Sequence, residues 1–288
     1  MKKSDELFVK KLENKVKDTI KKYKLLNKKE KILVAASGGK DSTTVLHILK
    51  KLGYNIEAIT IDVAMGSYTK KNIENLKIFC KKEKIKLYSM AIREEFGGSV
   101  CYIRSSLASK GTKLNSCAVC GVLRRYLVNK AAKQLKAKKL VTGHNLDDEA
   151  QSIMMNFFRN TLQRSARLGP KAGVQNTKGF IPRVKPLYFI PEKDVAKYSK
   201  IMKFPVNYGI CPCSAEVFRR FTGNVLTDYE KINPKTKKNI VDYFLKSLPK
   251  LKQKYKGNES KYCIKCGEPS KGEVCRTCQI ISQVKAKV

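Results

Sequence analysis

Residues 37–42 read Ser37-Gly38-Gly39-Lys40-Asp41-Ser42 and follow at once on the apolar run KILVAA of residues 31–36. Two adjacent glycines let backbone N–H groups close on an anion, and a helix starting here directs its positive end at the same point. The pattern is a phosphate cradle. Ala36, Gly38 and Gly39 line it with backbone, Lys40 neutralises phosphate charge, and Ser37 and Ser42 donate hydroxyl hydrogen bonds. Asp41 suits either Mg2+ binding or capping of the helix. The spacing of a Walker loop is absent.

A second group of polar residues falls at the ends of two other apolar runs. Asp62 closes IEAITID, and Gly143-His144-Asn145-Leu146-Asp147-Asp148-Glu149 begins where KKLVTG ends. Nucleotide-contacting residues of open α/β sheets lie at such strand ends, so Asp62, Gly143 and His144 are read as cofactor contacts. Three successive acids complement a helix N-terminus, and one of them also suits Mg2+ or a proton to be accepted.

The chain has ten cysteines, eight of them clustered. Cys263-x-x-Cys266, eight residues, then Cys275-x-x-Cys278 supplies the four thiolates of a tetrahedral zinc site, with Gly267 and Gly272 easing the turns. Such a closed site folds a segment too small to build its own core. Cys117 and Cys120 form another pair, and Cys211-Pro212-Cys213 stands far along the chain. One cysteine from that segment would complete three thiolates for a 4Fe-4S cluster with one iron left open. A second zinc, a reactive disulfide or persulfide pair, and core thiols are the other readings of the same spacing. Cys80 and Cys101 are isolated and read as packing residues.

Short apolar runs alternate with helical stretches from Lys31 onward: KILVAA, a helix to about Leu52, IEAITID, a helix over 70–82, IKLYSMAI, a helix over 117–135, and KKLVTG. That alternation predicts parallel βαβ units in a doubly wound α/β sheet. Leu7, Leu12, Val16 and Ile20 predict an amphipathic helix ahead of it. Residues 97–115 are polar with Gly and Ser and read as a loop or lid. Ala150, Ile153, Met154, Phe157 and Phe158 form a helical stripe expected in the core. Residues 164–191 are basic and rich in Gly and Pro, a short helix follows Pro191, helical spacing returns to about Leu251, and breakers at 254–260 precede the Cys-rich end.

Lys plus Arg is 61 and Asp plus Glu is 24, a net charge of +37 over 288 residues. Solubility needs far less, so a polyanionic partner is the first expectation, with a Lys-favouring genome as the competing cause. No run approaches the ~20 apolar residues of a membrane span, and no signal-peptide core is visible. A cytoplasmic location with reduced thiols is expected.

SGGKDS at 37–42, CAVCG at 117–121, GHNLDDEAQ at 143–151, PRVKPL at 182–187, Cys211-Pro212, and the terminal CIKCGEP and CRTC together resemble the tRNA 2-thiolation enzymes of the TtuA and NcsA type, members of the PP-loop ATP pyrophosphatases. The resemblance runs from about Phe8 to the C-terminus. It implies a PP-loop ATP pyrophosphatase fold at 31–255 that carries the iron–sulfur site, after an N-terminal helix at 1–30 and before a small C-terminal zinc ribbon at 256–288. It also implies that ATP and Mg2+ adenylate a uridine 2-oxygen of tRNA, giving AMP and pyrophosphate, after which sulfur held on the open iron displaces AMP. Oxygen is a poor leaving group from a pyrimidine, and conversion to a phosphate ester lowers that barrier. Cys117, Cys120 and Cys211 would hold the 4Fe-4S cluster; an aromatic commonly follows the family's Cys-Pro, and here Cys213 stands there as the alternative third ligand. Arg124 and one of Asp147 or Asp148 match the family's functional basic and acidic residues. Family members commonly begin with a Cys/His zinc module, and this sequence starts at the helix after it. Sulfide, a persulfide or a ubiquitin-like thiocarboxylate protein could donate the sulfur, and a homodimer is open. The rival readings are 2-thiocytidine or lysidine synthesis, and a nonenzymatic zinc-ribbon protein that binds nucleic acid.

Overall fold

A computed structural model describes residues 2–174, 179–214, 218–256 and 261–285. Helix α1 (Lys3–Lys22) leads into β1 (Ile32–Ala35), α2 (Lys40–Lys51), β2 (Ile56–Asp62), α3 (Gly66–Lys82) and β3 (Leu87–Ala91). Helices α4 (Ile92–Phe96), α5 (Val100–Ser109) and α6 (Ser116–Gln134) follow, then β4 (Lys139–Thr142), α7 (Leu146–Phe158), α8 (Leu162–Ser165), β5 (Arg183–Val184) and α9 (Glu192–Ile201). Beyond a 3-10 turn at Pro212–Ser214 come α10 (Phe218–Ile232), α11 (Thr236–Lys254), the hairpin β6 (Lys261–Tyr262) and β7 (Pro269–Ser270), and α12 (Arg276–Lys285).

The five-stranded sheet has the order β3-β2-β1-β4-β5, and every pairing is parallel. The order reverses at β1, which opens a crevice past the carboxyl ends of β1 and β4. Strand alternation sorts the core into two layers. Ile32 and Val34 of β1 face Val45 and Leu49 of α2, Val16 and Ile20 of α1, and Tyr198 of α9. Leu33, Ile59 and Leu140 face Val128, Ala131 and Ala132 of α6 on the other side. Each fully buried Val, Leu or Ile among them is worth about 1.5–3 kcal/mol of transfer free energy.

Helix α1 buries Val9, Leu12, Val16 and Ile20, while Leu7 is exposed because the helical turn carries it to the opposite face. The expected loop at 97–115 holds α5 instead. Ser99 caps it by accepting from the Tyr102 N–H at 3.2 Å, and Val100, Ile103 and Leu107 are fully buried against α6 and α12. Three apolar residues at helical spacing outweigh the Gly and Ser content, since tertiary burial overrides local propensity. The stripe on α7 is core only as far as Met154: Phe157 and Phe158 are 72% and 55% exposed where the helix runs past the edge of the core. Of the breaker-rich stretch, residues 257–260 lie outside the described residues. Among the described residues no helix is long and apolar enough to cross a membrane.

Candidate functional site

The segment between β1 and α2 folds back on itself. The Ser42 hydroxyl accepts from the Ser37 N–H at 3.1 Å and donates to the Gly39 carbonyl at 3.2 Å, and Gly38 adopts φ +77°. Any side chain at Gly38 would meet the Asn72 carbonyl oxygen of α3 at 2.1 Å. The result is a tight turn whose backbone faces the crevice. Lys40 reaches Asp41 at 3.0 Å and Glu192 of α9 at 2.7 Å, so its ammonium is held between two carboxylates. Burial opposes that charge, but Asp41 and Glu192 outweigh it and hold the Lys40 ammonium above its usual range. Burial pushes Asp41 up, against Lys40 and the Asn145 amide that donates to it at 3.0 Å.

The second polar segment meets the first through Asn145. Its side chain caps α7 by accepting from the Asp148 N–H at 3.1 Å, and the Asp148 carboxylate accepts from the Asn145 N–H at 3.3 Å, a reciprocal capping box. Asp147 is buried and tied down, accepting from the Glu192 N–H at 2.7 Å and from Lys237 of α11 at 2.7 Å. Asp148 is more open and lies 3.4 Å from Arg219 of α10. Asp62 accepts from the Ala64 N–H at 2.7 Å, which shapes the turn after β2.

A cleft of about 890 Å³ extends from Ala35 and Thr142 at these strand ends. Arg124, Arg159, Arg183, Lys185 and Arg219 project into it beside His144. His144 is open to the cleft and pairs with the Thr142 hydroxyl at 2.8 Å; the protein atoms crowded around it, then Lys185, Arg219, Arg183 and Arg124, lower its imidazole below the usual range. Burial and Arg125 together bring Arg183 down to about 10. Cations crowded this closely call for an anion. Lys185 and Arg219 are already paired, Lys185 with Glu149 in the buried floor and Arg219 with Asp148. The sequence motif PRVKPL includes Arg183 and Lys185 without giving them a role, and Arg219, on α10, has no motif to mark it.

The Cys117 and Cys120 side chains lie on the first turns of α6, and Cys211 is brought to them by the loop after α9. Burial and then Cys211 push the Cys117 thiol up. Burial also pushes Cys120 up, opposed by Arg124, which hydrogen-bonds its sulfur. Arg124 therefore touches both the thiol site and the cleft. Cys211 contacts the Met65 sulfur at 3.6 Å. The Cys213 carbonyl accepts from the Cys117 thiol at 3.2 Å, and burial, then Cys101 and Cys211, push the Cys213 thiol up. Cys80 is buried as expected, whereas Cys101 is exposed and belongs to this group rather than to the packing.

In the ribbon, the sulfurs of Cys263, Cys266, Cys275 and Cys278 all lie within 4.8 Å of one another. Cys266 and Cys275 are 3.7 Å apart. Tetrahedral zinc with Zn–S near 2.3 Å places its sulfurs about 3.8 Å apart, so the four residues fit that ion. Glu268 anchors the ribbon, accepting from Asn129 of α6 at 2.6 Å and pairing with Lys133.

Comparison with known proteins agrees with this geometry. The PP-loop domain family matches residues 8–206. The tRNA-5-methyluridine(54) 2-sulfurtransferase of Pyrococcus horikoshii is 36% identical over 275 residues, covering 96% of this chain and 86% of the relative. The tRNA 2-thiolation protein NcsA of Haloferax volcanii is 32% identical over 267 residues, covering 88% and 82%. In three dimensions the U34-tRNA thiolase NcsA from Methanococcus maripaludis, solved with its [4Fe-4S] cluster, matches with a TM-score of 0.82 at 28% identity, covering 99% of this chain and 90% of that one. With its phosphate turn, acidic strand end and paired cysteines on one parallel sheet, the chain belongs to the PP-loop family, among the tRNA 2-thiolation sulfurtransferases.

Proposed function

We propose that this enzyme adenylates the 2-oxygen of a tRNA uridine with ATP and then replaces that oxygen with sulfur, leaving 2-thiouridine, AMP and pyrophosphate. The observation that carries the proposal is Arg124, whose guanidinium lies beside the Cys120 sulfur and also lines the cleft that reaches Ala35 at the end of β1, just before the phosphate turn. One residue thus links the place where phosphate is held to the place where sulfur is held.

Residues 36–42 grip the pyrophosphate end of ATP, with Lys40 exchanging Glu192 for phosphate oxygens. Asp41 and Asp148 are the carboxylates open to Mg2+, since Asp147 is occupied by Lys237. Asp62, Gly143 and His144 shape the nucleotide side. A neutral His144 offers a hydrogen bond without adding charge. Arg124 stabilises negative charge as the phosphate ester forms; a guanidinium does not readily surrender a proton, so acceptance of a proton falls to Asp148. Cys117, Cys120 and Cys211 are the proposed cluster ligands, neighbouring thiols from the start of α6 and the loop after α9 that act on one another's charge. A 4Fe-4S cluster bound there would supply an iron coordination position for inorganic sulfur. Zinc in the ribbon is structural. Residues 1–30, 31–255 and 256–288 divide the work among an N-terminal helix, the catalytic body and the ribbon, in a cytoplasm that keeps the thiols reduced.

Incubation with ATP, Mg2+, a sulfide source and tRNA tests the proposal. AMP and pyrophosphate should appear only with tRNA, thiolated nucleoside should be found by mass spectrometry, and Lys40→Ala should suppress both. ADP as the sole product would overturn it.

A further inference from the structure

Where α10 packs on α7, the end of one helix and the start of the other turn aromatic rings towards solvent. Phe157, Phe158 and Phe221 are exposed, and Phe218 is half-buried. On α10, Phe218, Phe221, Val225 and Tyr229 share a face at spacings of three and four residues, while Thr222, Gly223 and Leu226 are buried. Phe157, Phe158 and Phe218 stand in a row, with ring centroids 6.3 and 6.4 Å apart and planes inclined at 61° and 65°. The Arg159 guanidinium lies over the Phe218 ring, 4.5 Å from its centroid. So many large apolar groups open to water on one surface mark a place where something binds.

Charge and position favour one occupant. Segments 151–167 and 218–227 contain five arginines and no Asp or Glu. Arg159, Arg164 and Arg220 are exposed. Two copies of this chain meeting through the face would set those arginines against one another, whereas a nucleic-acid strand offers phosphates to the cations and flat bases to the rings. The rings also continue the cleft, since Asn156 and Arg159 line it and Phe157 and Phe158 fall between them. A uridine whose 2-oxygen enters the cleft leaves its own stack, and its neighbours lose a stacking partner.

We propose that Phe157, Phe158, Phe218 and Phe221 form a stacking shelf for the unpaired nucleotides that flank the target uridine. The proposal rests on the reading of the cleft as the place where a tRNA uridine is modified. Every base has a face to stack, so the shelf selects single-stranded RNA over duplex without selecting a sequence.

The test measures binding to the full chain without ATP, using an oligouridylate of about ten nucleotides and the same strand annealed to oligoadenylate. Phe158→Ala and Phe221→Ala should each weaken oligouridylate binding about tenfold. The salt dependence should not change, because no charge is removed. Duplex binding should stay at the parent level. The chain has no tryptophan, so Phe158→Trp puts a single indole on the shelf. Its fluorescence should be quenched by oligouridylate and not by the duplex, a response that a merely structural ring would not give. Equal oligouridylate affinity in the parent and both folded alanine variants, or an indole left unquenched at saturation, would overturn the proposal. So would a parent that sediments as a dimer while Phe221→Ala is a monomer of undiminished RNA affinity, which would assign the face to a second copy. Should an alanine variant fail to fold by circular dichroism, quenching in Phe158→Trp decides. Pyrophosphate release by the parent tests the enzymatic reading separately, so the two failures are distinguishable.

Discussion

Gly143 packs against Ser42 so closely that a Cβ on Gly143 would stand 2.8 Å from the Ser42 backbone nitrogen and 2.9 Å from the Asp41 carbonyl carbon. The end of β4 thus rests on the first turn of α2, and the phosphate turn and the acidic segment are held as one body. Asn145 adds the polar half of that contact through Asp41.

Gly143→Ala should therefore act on nucleotide chemistry more than on the rest of the fold. The methyl group has nowhere to go except by parting β4 from α2, an overpacking cost of about 1–3 kcal/mol. Calorimetry should show a modest loss of stability, while tRNA-dependent pyrophosphate release should fall much more steeply than Tm. Unchanged pyrophosphate release would show that the close approach has no bearing on the phosphate turn.

The sheet was legible in the sequence because its strands are short apolar runs separated by helical spacing, and KILVAA passing into SGGKDS marks the crevice without any tertiary information. The cleft wall was less so. Arg183 and Arg219 are 36 residues apart in the chain and meet only when β5 joins β4 and α10 packs on α7. Helix α5 was hidden for a different reason: its capping residue Ser99 and the glycines before it look like a loop, and its apolar stripe gains meaning only from α6 and α12. Cys101 followed it out of sight.

The ribbon is coupled to the thiol site through α12. Ile280 is buried in the cluster of side chains that contains Cys120, Leu123 and Ile103. Zinc binding at a closed four-thiolate site contributes folding free energy, so Cys275→Ala should loosen α12 as well as the hairpin. The expected outcome is loss of zinc together with a lower Tm and weakened retention of iron at Cys117, Cys120 and Cys211, measured by metal analysis after gel filtration. A variant that lost zinc but kept full iron and Tm would show that the two sites are independent.

Phosphate contacts should dominate tRNA association. Arg164, Arg167 and Lys271 border the cleft, and burial, then the charges of Arg167 and Arg164, push the Lys271 ammonium below its usual range. A bound phosphate relieves that repulsion and releases counterions. Each such contact on a single strand contributes about 0.7 to the slope of log K against log salt, and about 0.9 on a duplex. Arg167→Ala should weaken binding and flatten the slope by about one such contact. Weaker binding with an unchanged slope would mean that Arg167 meets a base or supports the wall instead.

The third cluster ligand can be separated from its neighbour two residues on. The Cys211 thiol acts on both Cys117 and Cys120, whereas Cys213 meets Cys117 through its backbone carbonyl. Cys211→Ala should therefore abolish bound iron and the visible absorption that bleaches in air, as should Cys117→Ala and Cys120→Ala. Cys213→Ala should retain the iron, because the carbonyl that receives the Cys117 thiol belongs to the main chain and survives the substitution. ATP binding should persist in all four variants, since the phosphate turn is built from β1 and α2 and the three proposed ligands lie on α6 and the loop after α9. Iron retained in Cys211→Ala and lost from Cys213→Ala would reverse the assignment. Iron absent from an active parent enzyme would remove the cluster altogether and leave the cysteines to work as thiols.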